Sequence, residues 1–252
     1  MVLENTTWKE VVRDALARLG GEGHLSEINE KVEGHPKTNT NPTWRATIRK
    51  VVRQYRDFEP LGGGHYRLRE VIVPDVEPDR FVGEPEVDHG AAQGMLTVVG
   101  NAYGYETFVS RRDQNTRTFQ ANRLSEFITV FECPTVATGP NQRKIREIDV
   151  IWLGEDDEGL YPVYAFEVEM TTGVKDGLDR LLKIPERINT ALFVIGPSEK
   201  ERVLFDKFTN QLPFRRFKER FNFSLYSELE DLYNSVLTHE EARRSFGPVN
   251  PR

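Results

Sequence analysis

Between residues 6 and 70 the apolar positions recur every three or four residues, the spacing of one helical face, in three successive segments. Trp8, Val11, Val12, Ala15 and Leu19 predict a helix over Thr6–Leu19, with Thr6 or Thr7 as its N-cap and Gly20-Gly21 as its stop. Leu25 to Val32 predicts a second helix, opened by Ser26 and closed near Gly34. Trp44, Ile48, Val51, Val52 and Tyr55 mark the apolar stripe of a third, over Pro42–Tyr55, whose first turn suits Pro42. Phe58 to Leu68 follows as two short strands around the glycine turn Gly62-Gly63-Gly64.

From residue 71 to residue 90 the periodicity stops. Pro74, Pro78 and Pro85 stand among six acids and one arginine, the composition of a semi-extended acidic linker. This predicts a first domain over residues 1–70 and a second over 91–252. In the second, Ala91–Tyr103 reads as a helix, Tyr105–Ser110 as a strand ended by Arg111, Arg112 and Asp113, and Leu124–Phe131 as an amphipathic stretch. Two runs rich in β-branched and aromatic residues, Ile148–Leu153 and Tyr161–Met170, flank the acidic loop Gly154–Gly159 and read as a hairpin. Thr171-Thr172-Gly173 turns into a helix over Val174–Ile184. Ala191–Ile195 is a fully apolar strand of the kind found inside a sheet. A helix over Ser198–Phe208, a strand over Phe223–Tyr226 and a helix over Ser227–Leu237 complete the pattern, and Phe214, Phe217 and Phe221 take helical spacing for core packing.

Hydrophobic content of 38% and charged content of 29% place the chain among globular proteins. No apolar run reaches the roughly 18–20 residues that span a bilayer, and the first residues do not form a secretory signal, so the expected setting is cytoplasmic, away from membrane. The lone cysteine, Cys133, rules out an intrachain disulfide, and its surroundings predict a buried thiol. The histidines His24, His35, His65, His89 and His239 show no metal-ligand spacing. The net charge of −6 is unevenly spread: residues 1–70 carry 12 Lys and Arg against 10 Asp and Glu, the remainder 22 against 30. What matters for a polyanionic partner is the local patch. Arg45, Arg49, Lys50, Arg53 and Arg56 crowd the third helix with no acid between Asn41 and Arg56. Double-stranded DNA is the partner this face predicts, with Trp44, Arg45, Arg49, Lys50, Arg53 and, in the strand pair, His65 as candidate contacts. A basic face that only meets solvent is the alternative.

The hairpin carries the candidate chemistry. Acids interrupt both apolar runs: Asp149 in the first, Glu167 and Glu169 in the second. The period of two along a strand points both glutamates to one face. Carboxylates among apolar neighbours are costly unless paired or bound to a cation, and oxygen ligands suit Mg²⁺, or Mn²⁺. An acidic strand face paired with Arg or Lys is the other reading.

Ile148-Asp149-Val150, a loop, then Phe166-Glu167-Val168-Glu169 resembles the active-site hairpin of the PD-(D/E)xK nuclease superfamily. The resemblance implies an α/β fold with a restriction-endonuclease-like αβββαβ core, and a metal-dependent endonuclease in which Asp149 and Glu167 hold Mg²⁺. Glu169 stands where the motif has lysine, so it would hold a second ion or orient the water; the missing cation could instead come from Lys175, Lys183 or Lys144. Lys175, Arg180 and Lys183 on the following helix are candidates to hold the DNA backbone. Many members carry an acid on the first core helix; none lies there in this chain, and Glu106 is a stand-in.

Residues 6–69 resemble the HARE-HTH winged-helix family, through the initial Thr7-Trp8, the basic third helix and the final Gly64-His65-Tyr66-Arg67-Leu68. That implies an N-terminal winged helix-turn-helix that binds DNA. Restriction and repair are both open roles, and cutting two strands implies a homodimer. The competing expectation is a non-catalytic DNA-binding regulator that keeps a nuclease-like fold as a platform.

Overall fold

The computed structural model describes residues 6–69, 88–156, 158–170 and 173–246. Residues 71–87 of the expected linker and the expected turn at Thr171-Thr172 lie outside them. The chain divides into two compact units. One takes the described part of Met1–Val73 with Thr129–Glu132 and Glu155–Leu160; the other takes Pro74–Ile128, Cys133–Gly154 and Tyr161–Arg252.

The first unit contains α1 (Trp8–Arg18), β1 (Glu22–His24), α2 (Leu25–Val32), α3 (Pro36–Thr40), α4 (Trp44–Gln54), β2 (Phe58–Gly62) and β3 (His65–Leu68). Helix α1 begins where it does because Thr7 and Glu10 cap each other's backbone N–H groups. His24 and Glu27 do the same for α2. Trp8, Val12, Leu16, Ile28, Ile48 and Val52 are buried and form the core that the helical spacing predicts. The strands pair antiparallel in the order β1-β3-β2. Two features were not legible: the short α3, whose Pro36 starts it and whose His35 caps it, and β1. Helix α4 starts two residues later than expected, so Pro42 precedes its N-cap Thr43. Residues 129–132 belong to this unit because Tyr55 bridges Val130 and the backbone of Arg56 donates to the Thr129 carbonyl at 2.9 Å.

The second unit contains α5 (His89–Ala102), β4 (Glu106–Val109), β5 (Thr118–Phe119), β6 (Asn122–Arg123), α6 (Gly139–Ile145), β7 (Val150–Asp156) and β8 (Gly159–Val168) apart from the Glu155–Leu160 portion that the first unit takes, α7 (Val174–Leu181), β9 (Ala191–Gly196), α8 (Glu199–Thr209), β10 (Phe221–Leu225) and α9 (Tyr226–Phe246). Five strands form one mixed sheet in the order β10-β9-β8-β7-β4. β4 runs antiparallel to β7, while β9 runs parallel to both β8 and β10. The all-apolar Ala191–Ile195 is therefore an interior strand. The expected amphipathic stretch Leu124–Phe131 reduces to a 3₁₀ turn at Leu124–Glu126, and of the helically spaced phenylalanines Phe214 opens a 3₁₀ segment over Phe214–Arg220 and Phe221 begins β10, both buried. The last helix runs nine residues past Leu237.

An aromatic ladder fixes the register of the central strands. The Trp152 ring lies 4.7 Å from that of Phe166, which lies 5.3 Å from that of Phe193, one residue from each of β7, β8 and β9. Trp152 also donates its indole N–H to the Leu96 carbonyl at 2.9 Å, tying α5 to this face. Gly100 permits that approach: a Cβ there would lie 2.6 Å from the indole nitrogen. With Phe166 toward α5, alternation turns Glu167 to the opposite face, under α7.

Candidate active site

The start of β7 and the end of β8 meet at one end of the sheet. Ser110 donates its backbone N–H to the Asp149 carbonyl at 3.2 Å, and Val168 donates its N–H to Asp149 Oδ2 at 2.8 Å. Asp149 is thus held in a bend just before β7, beside the two glutamates that flank Val168. Glu169 lies just past β8, but its N–H still bonds the Ile195 carbonyl at 2.9 Å, so the parallel pairing with β9 fixes its backbone. All three acids are buried: Asp149 is 3% exposed, Glu167 0% and Glu169 8%.

Among the described residues, Arg180 is the cation paired with the two glutamates. Arg180 of α7 donates from Nε to Glu167 Oε1 at 2.8 Å and from a terminal nitrogen to Glu167 Oε2, a two-pronged charge-assisted grip. The same nitrogen lies 3.5 Å from Glu169 Oε1. Gly173, Gly177 and Arg180 share the face of α7 turned to the sheet, the spacing of i, i+4 and i+7. Gly177 lets the helix settle there, because a Cβ would lie 2.7 Å from Glu169 Oε1 and 3.2 Å from Glu167 Cβ.

The charges do not balance. Burial pushes the Glu167 carboxyl well above the usual carboxylate range; the Arg180 grip opposes this, and the neighbouring charges of Asp149 and Glu169 reinforce it. Burial likewise lifts Glu169 to about 7, against the pull of Arg180. Arg180 is held firmly charged, chiefly by its bonds to Glu167. With one guanidinium among three buried carboxyl groups, ionising all three at once is unfavourable unless a further positive charge joins them.

A second layer comes from α5 and the segment after β4. His89 Nε2 lies 3.2 Å from Asp149 Oδ1. Gln93, one turn on and fully buried, donates to Asp113 Oδ2 at 3.0 Å and approaches the Asp149 carbonyl at 3.4 Å. Asp113 accepts also from Ser110 Oγ at 2.8 Å and sits 3.2 Å from Arg112 Nε and 3.3 Å from Arg117 Nε. Burial alone would raise its carboxyl, but these donors outweigh it and hold it below the usual range. One ligand atom each from His89, Asp113 and Asp149 lies within 4.8 Å of the others.

The structure brings Asp149, Glu167 and Glu169 together with Arg180, which was expected to meet DNA. The lysines proposed to replace the motif cation lie elsewhere. Lys175 is on an exposed position of α7, Lys183 pairs with Asp179 at 2.7 Å, and Lys144 pairs with Glu147 at 3.1 Å. The physical reason is helical phase: positions 175, 179 and 183 do not share the face of 173, 177 and 180. Glu106 pairs with Leu153, three residues along the strand from the Val109–Val150 pair and so roughly 10 Å from the acids. The histidines show no metal-ligand spacing along the chain, yet His89 and Gln93 of α5 and Asp113 after β4 meet at Asp149, because separate segments assemble them and no local spacing signals the constellation.

On α4 in the first unit, Arg45, Arg49, Lys50 and Arg53 are exposed, and His65 is exposed on β3. Arg45 pairs with Glu33 at 3.3 Å; Arg49, Lys50 and Arg53 have no ion pair among the described residues. Trp44 corrects the expectation: it is 8% exposed, with the Arg45 guanidinium 4.3 Å over its ring, and it serves the core.

Comparison with known families identifies the class as that of restriction-type endonucleases. The matching family is the type II restriction enzyme NmeDI C-terminal domain, over residues 72–246, and the chain belongs to it. No curated protein and no solved structure matches. Among the described residues, no helix is long and apolar enough to cross a membrane.

Proposed function

We propose that the chain is a metal-dependent DNA endonuclease of the PD-(D/E)xK superfamily, with a winged helix-turn-helix over its first 70 residues and the hydrolytic domain after it. The observation that carries this reading is the burial of Asp149, Glu167 and Glu169 at one end of the sheet, with Arg180 paired to both glutamates, in a chain of a restriction-enzyme family. Structural ion pairs alone do not require three buried carboxylates around one guanidinium, whereas a divalent ion offsets that excess.

The buried acids are oxygen donors of the kind Mg²⁺ or Mn²⁺ takes, and Asp149 also belongs, with His89 and Asp113, to a group whose ligand atoms lie within 4.8 Å of one another. Asp149 and Glu169 would hold it, and Glu167 would join them to the extent that Arg180 shares its oxygens. When bound, the ion neutralises charge on the phosphate and lowers the pKa of a water molecule. The chain's own residues do the rest. Val168 N–H fixes the Asp149 carboxylate, α7 keeps Glu167 and Glu169 on one face, and Arg180 offers positive charge beside the acids where the motif lysine is missing. Arg49, Lys50 and Arg53 of α4 grip duplex phosphates, and a homodimer places one such site on each strand.

The test is cleavage of unmodified, methylated and uracil-containing duplexes with Mg²⁺ or Mn²⁺ by the wild type, Asp149→Ala and Glu167→Ala. Metal-dependent cutting by the wild type, lost in both variants, is the expected result. A second reading, a non-catalytic DNA-binding regulator, draws on the Arg180 grip that engages both oxygens of Glu167. Duplex binding by a wild type that cuts none of these substrates and binds no divalent ion would establish it instead.

A further inference from the structure

Helix α5 brings a nitrogen donor to the acids. His89 Nε2 and Asp149 Oδ1 are 3.2 Å apart, within reach of a hydrogen bond, yet among the described residues the buried Nε2 has no hydrogen-bond partner. The two atoms stand side by side without pointing at each other. Adjacent ligands of an octahedral ion held at about 2.1 Å are about 3.0 Å apart, which is nearly this separation.

A second, independent observation points to the same place. Gln93 is 0% exposed, its amide nitrogen is committed to Asp113 and directed at Asp149, and its Oε1 has no partner among the described residues. A buried acceptor with nothing to accept from is costly, and the tether to Asp113 prevents the amide from turning away to solvent. Asp113 is close enough to be a ligand, but Ser110, Gln93, Arg112 and Arg117 already fill its acceptor positions. Its part is to fix Gln93.

Resting on the metal-dependent reading above, we infer that His89 Nε2 and Asp149 Oδ1 are ligands of one divalent ion, with Gln93 Oε1 beside them. The site therefore prefers a first-row transition ion such as Mn²⁺ or Co²⁺ to Mg²⁺. Carboxylates alone suit Mg²⁺; an imidazole nitrogen moves the preference toward transition ions, because Mg²⁺ gains little from replacing an oxygen ligand by nitrogen. His89 would also supply, from the first core helix, a ligand where many members carry an acid.

The experiment titrates the full chain, without DNA, with Mn²⁺, Co²⁺ and Mg²⁺ separately, by calorimetry and, for Mn²⁺, by the electron paramagnetic resonance signal of the free ion. The proteins are the wild type, His89→Ala, His89→Gln, His89→Asp and Asp149→Asn. Thermal unfolding in EDTA establishes that each is folded, and His89→Gln carries the comparison should His89→Ala not be. The expected result is tighter Mn²⁺ and Co²⁺ than Mg²⁺ in the wild type. Loss of the imidazole should weaken Mn²⁺ by about tenfold or more with a smaller effect on Mg²⁺, and His89→Asp should shift the preference toward Mg²⁺. Unchanged Mn²⁺ affinity in folded His89 variants, with binding lost in Asp149→Asn, overturns the role of His89 and leaves the metal-dependent reading standing. No divalent binding by the wild type removes both.

Discussion

Arg180 and Glu167 are joined by two bonds from one guanidinium, Nε to Oε1 at 2.8 Å and a terminal nitrogen to Oε2, and Glu167 has no solvent exposure at all. The pair pins α7 across the end of β8. Removing the arginine strands a buried carboxylate, so Arg180→Ala should lose about 3–5 kcal/mol of stability, while Arg180→Lys, which keeps the charge but not the fork, should lose less. Urea unfolding in EDTA measures this. Equal midpoints for Arg180→Ala and the wild type would show that the pair does not hold α7 in place.

Gly177 sets how closely α7 approaches the acids. Alanine is the better helix former by about 1 kcal/mol, but here its methyl would lie 2.7 Å from Glu169 Oε1 and 3.2 Å from Glu167 Cβ. Overpacking of this kind typically costs about 1–3 kcal/mol, so the net effect of Gly177→Ala should be a loss of stability of about 1 kcal/mol. The carboxylate of Glu169, at the end of its side chain, gives way more readily than Glu167 Cβ, which the strand holds. Displacement of about 1 Å in a catalytic group costs on the order of a hundredfold, so cleavage should fall far more than stability. Parallel rate and urea measurements test this; full activity in a folded variant would mean that Glu169 need not stay where α7 holds it.

The contrast between what periodicity revealed and what it missed follows from the physics of each. Helix α2 spans Leu25–Val32 as its apolar spacing predicts, and Glu167 and Glu169 share a face because strand alternation is a local property. Arg180 stands in the sequence as a candidate for the DNA backbone, and its pairing with the glutamates is not legible there, because choosing among Lys175, Arg180 and Lys183 requires the phase of α7 against the sheet, which the two small residues Gly173 and Gly177 decide. His89 and Gln93 escaped for another reason. Their partner Asp149 lies 56 residues beyond Gln93, and a hydrogen bond across that separation leaves no trace in local spacing. Helix α9 extends past the Leu237 that its apolar spacing predicts, because its last turns are polar and no apolar stripe announces them.

Cys133 illustrates burial acting on chemistry. Desolvation pushes its thiol up to about 12, well above the value for a free cysteine, with Arg146 and the Gln142 amide opposing only in part. At pH 8 that leaves about one thiolate in ten thousand, against roughly one in four for an exposed thiol. The native protein should therefore be inert to a thiol-exchange reagent at pH 8 and release one equivalent in urea. Rapid reaction of the folded protein would mean that the 133–136 segment opens readily to solvent.

The DNA assignment on α4 separates charge from packing. Arg49, Lys50 and Arg53 are exposed and have no ion pair among the described residues, so replacing them takes positive charge away from the phosphates without disturbing the core. Each phosphate left without its cation should lower the slope of log affinity against log salt by about 0.9, and the triple alanine variant should bind duplex DNA much more weakly at low salt with an unchanged unfolding midpoint. Trp44→Ala should behave in the opposite way. Its ring is buried, so truncation should cost about 3–5 kcal/mol of stability, and any folded fraction should keep the salt slope of the wild type. Fluorescence anisotropy on a labelled duplex across a salt series, read beside urea unfolding, distinguishes the two. A triple variant with the wild-type slope would remove α4 from the DNA interface and leave its basic face to solvent, where its three cations would need no partner.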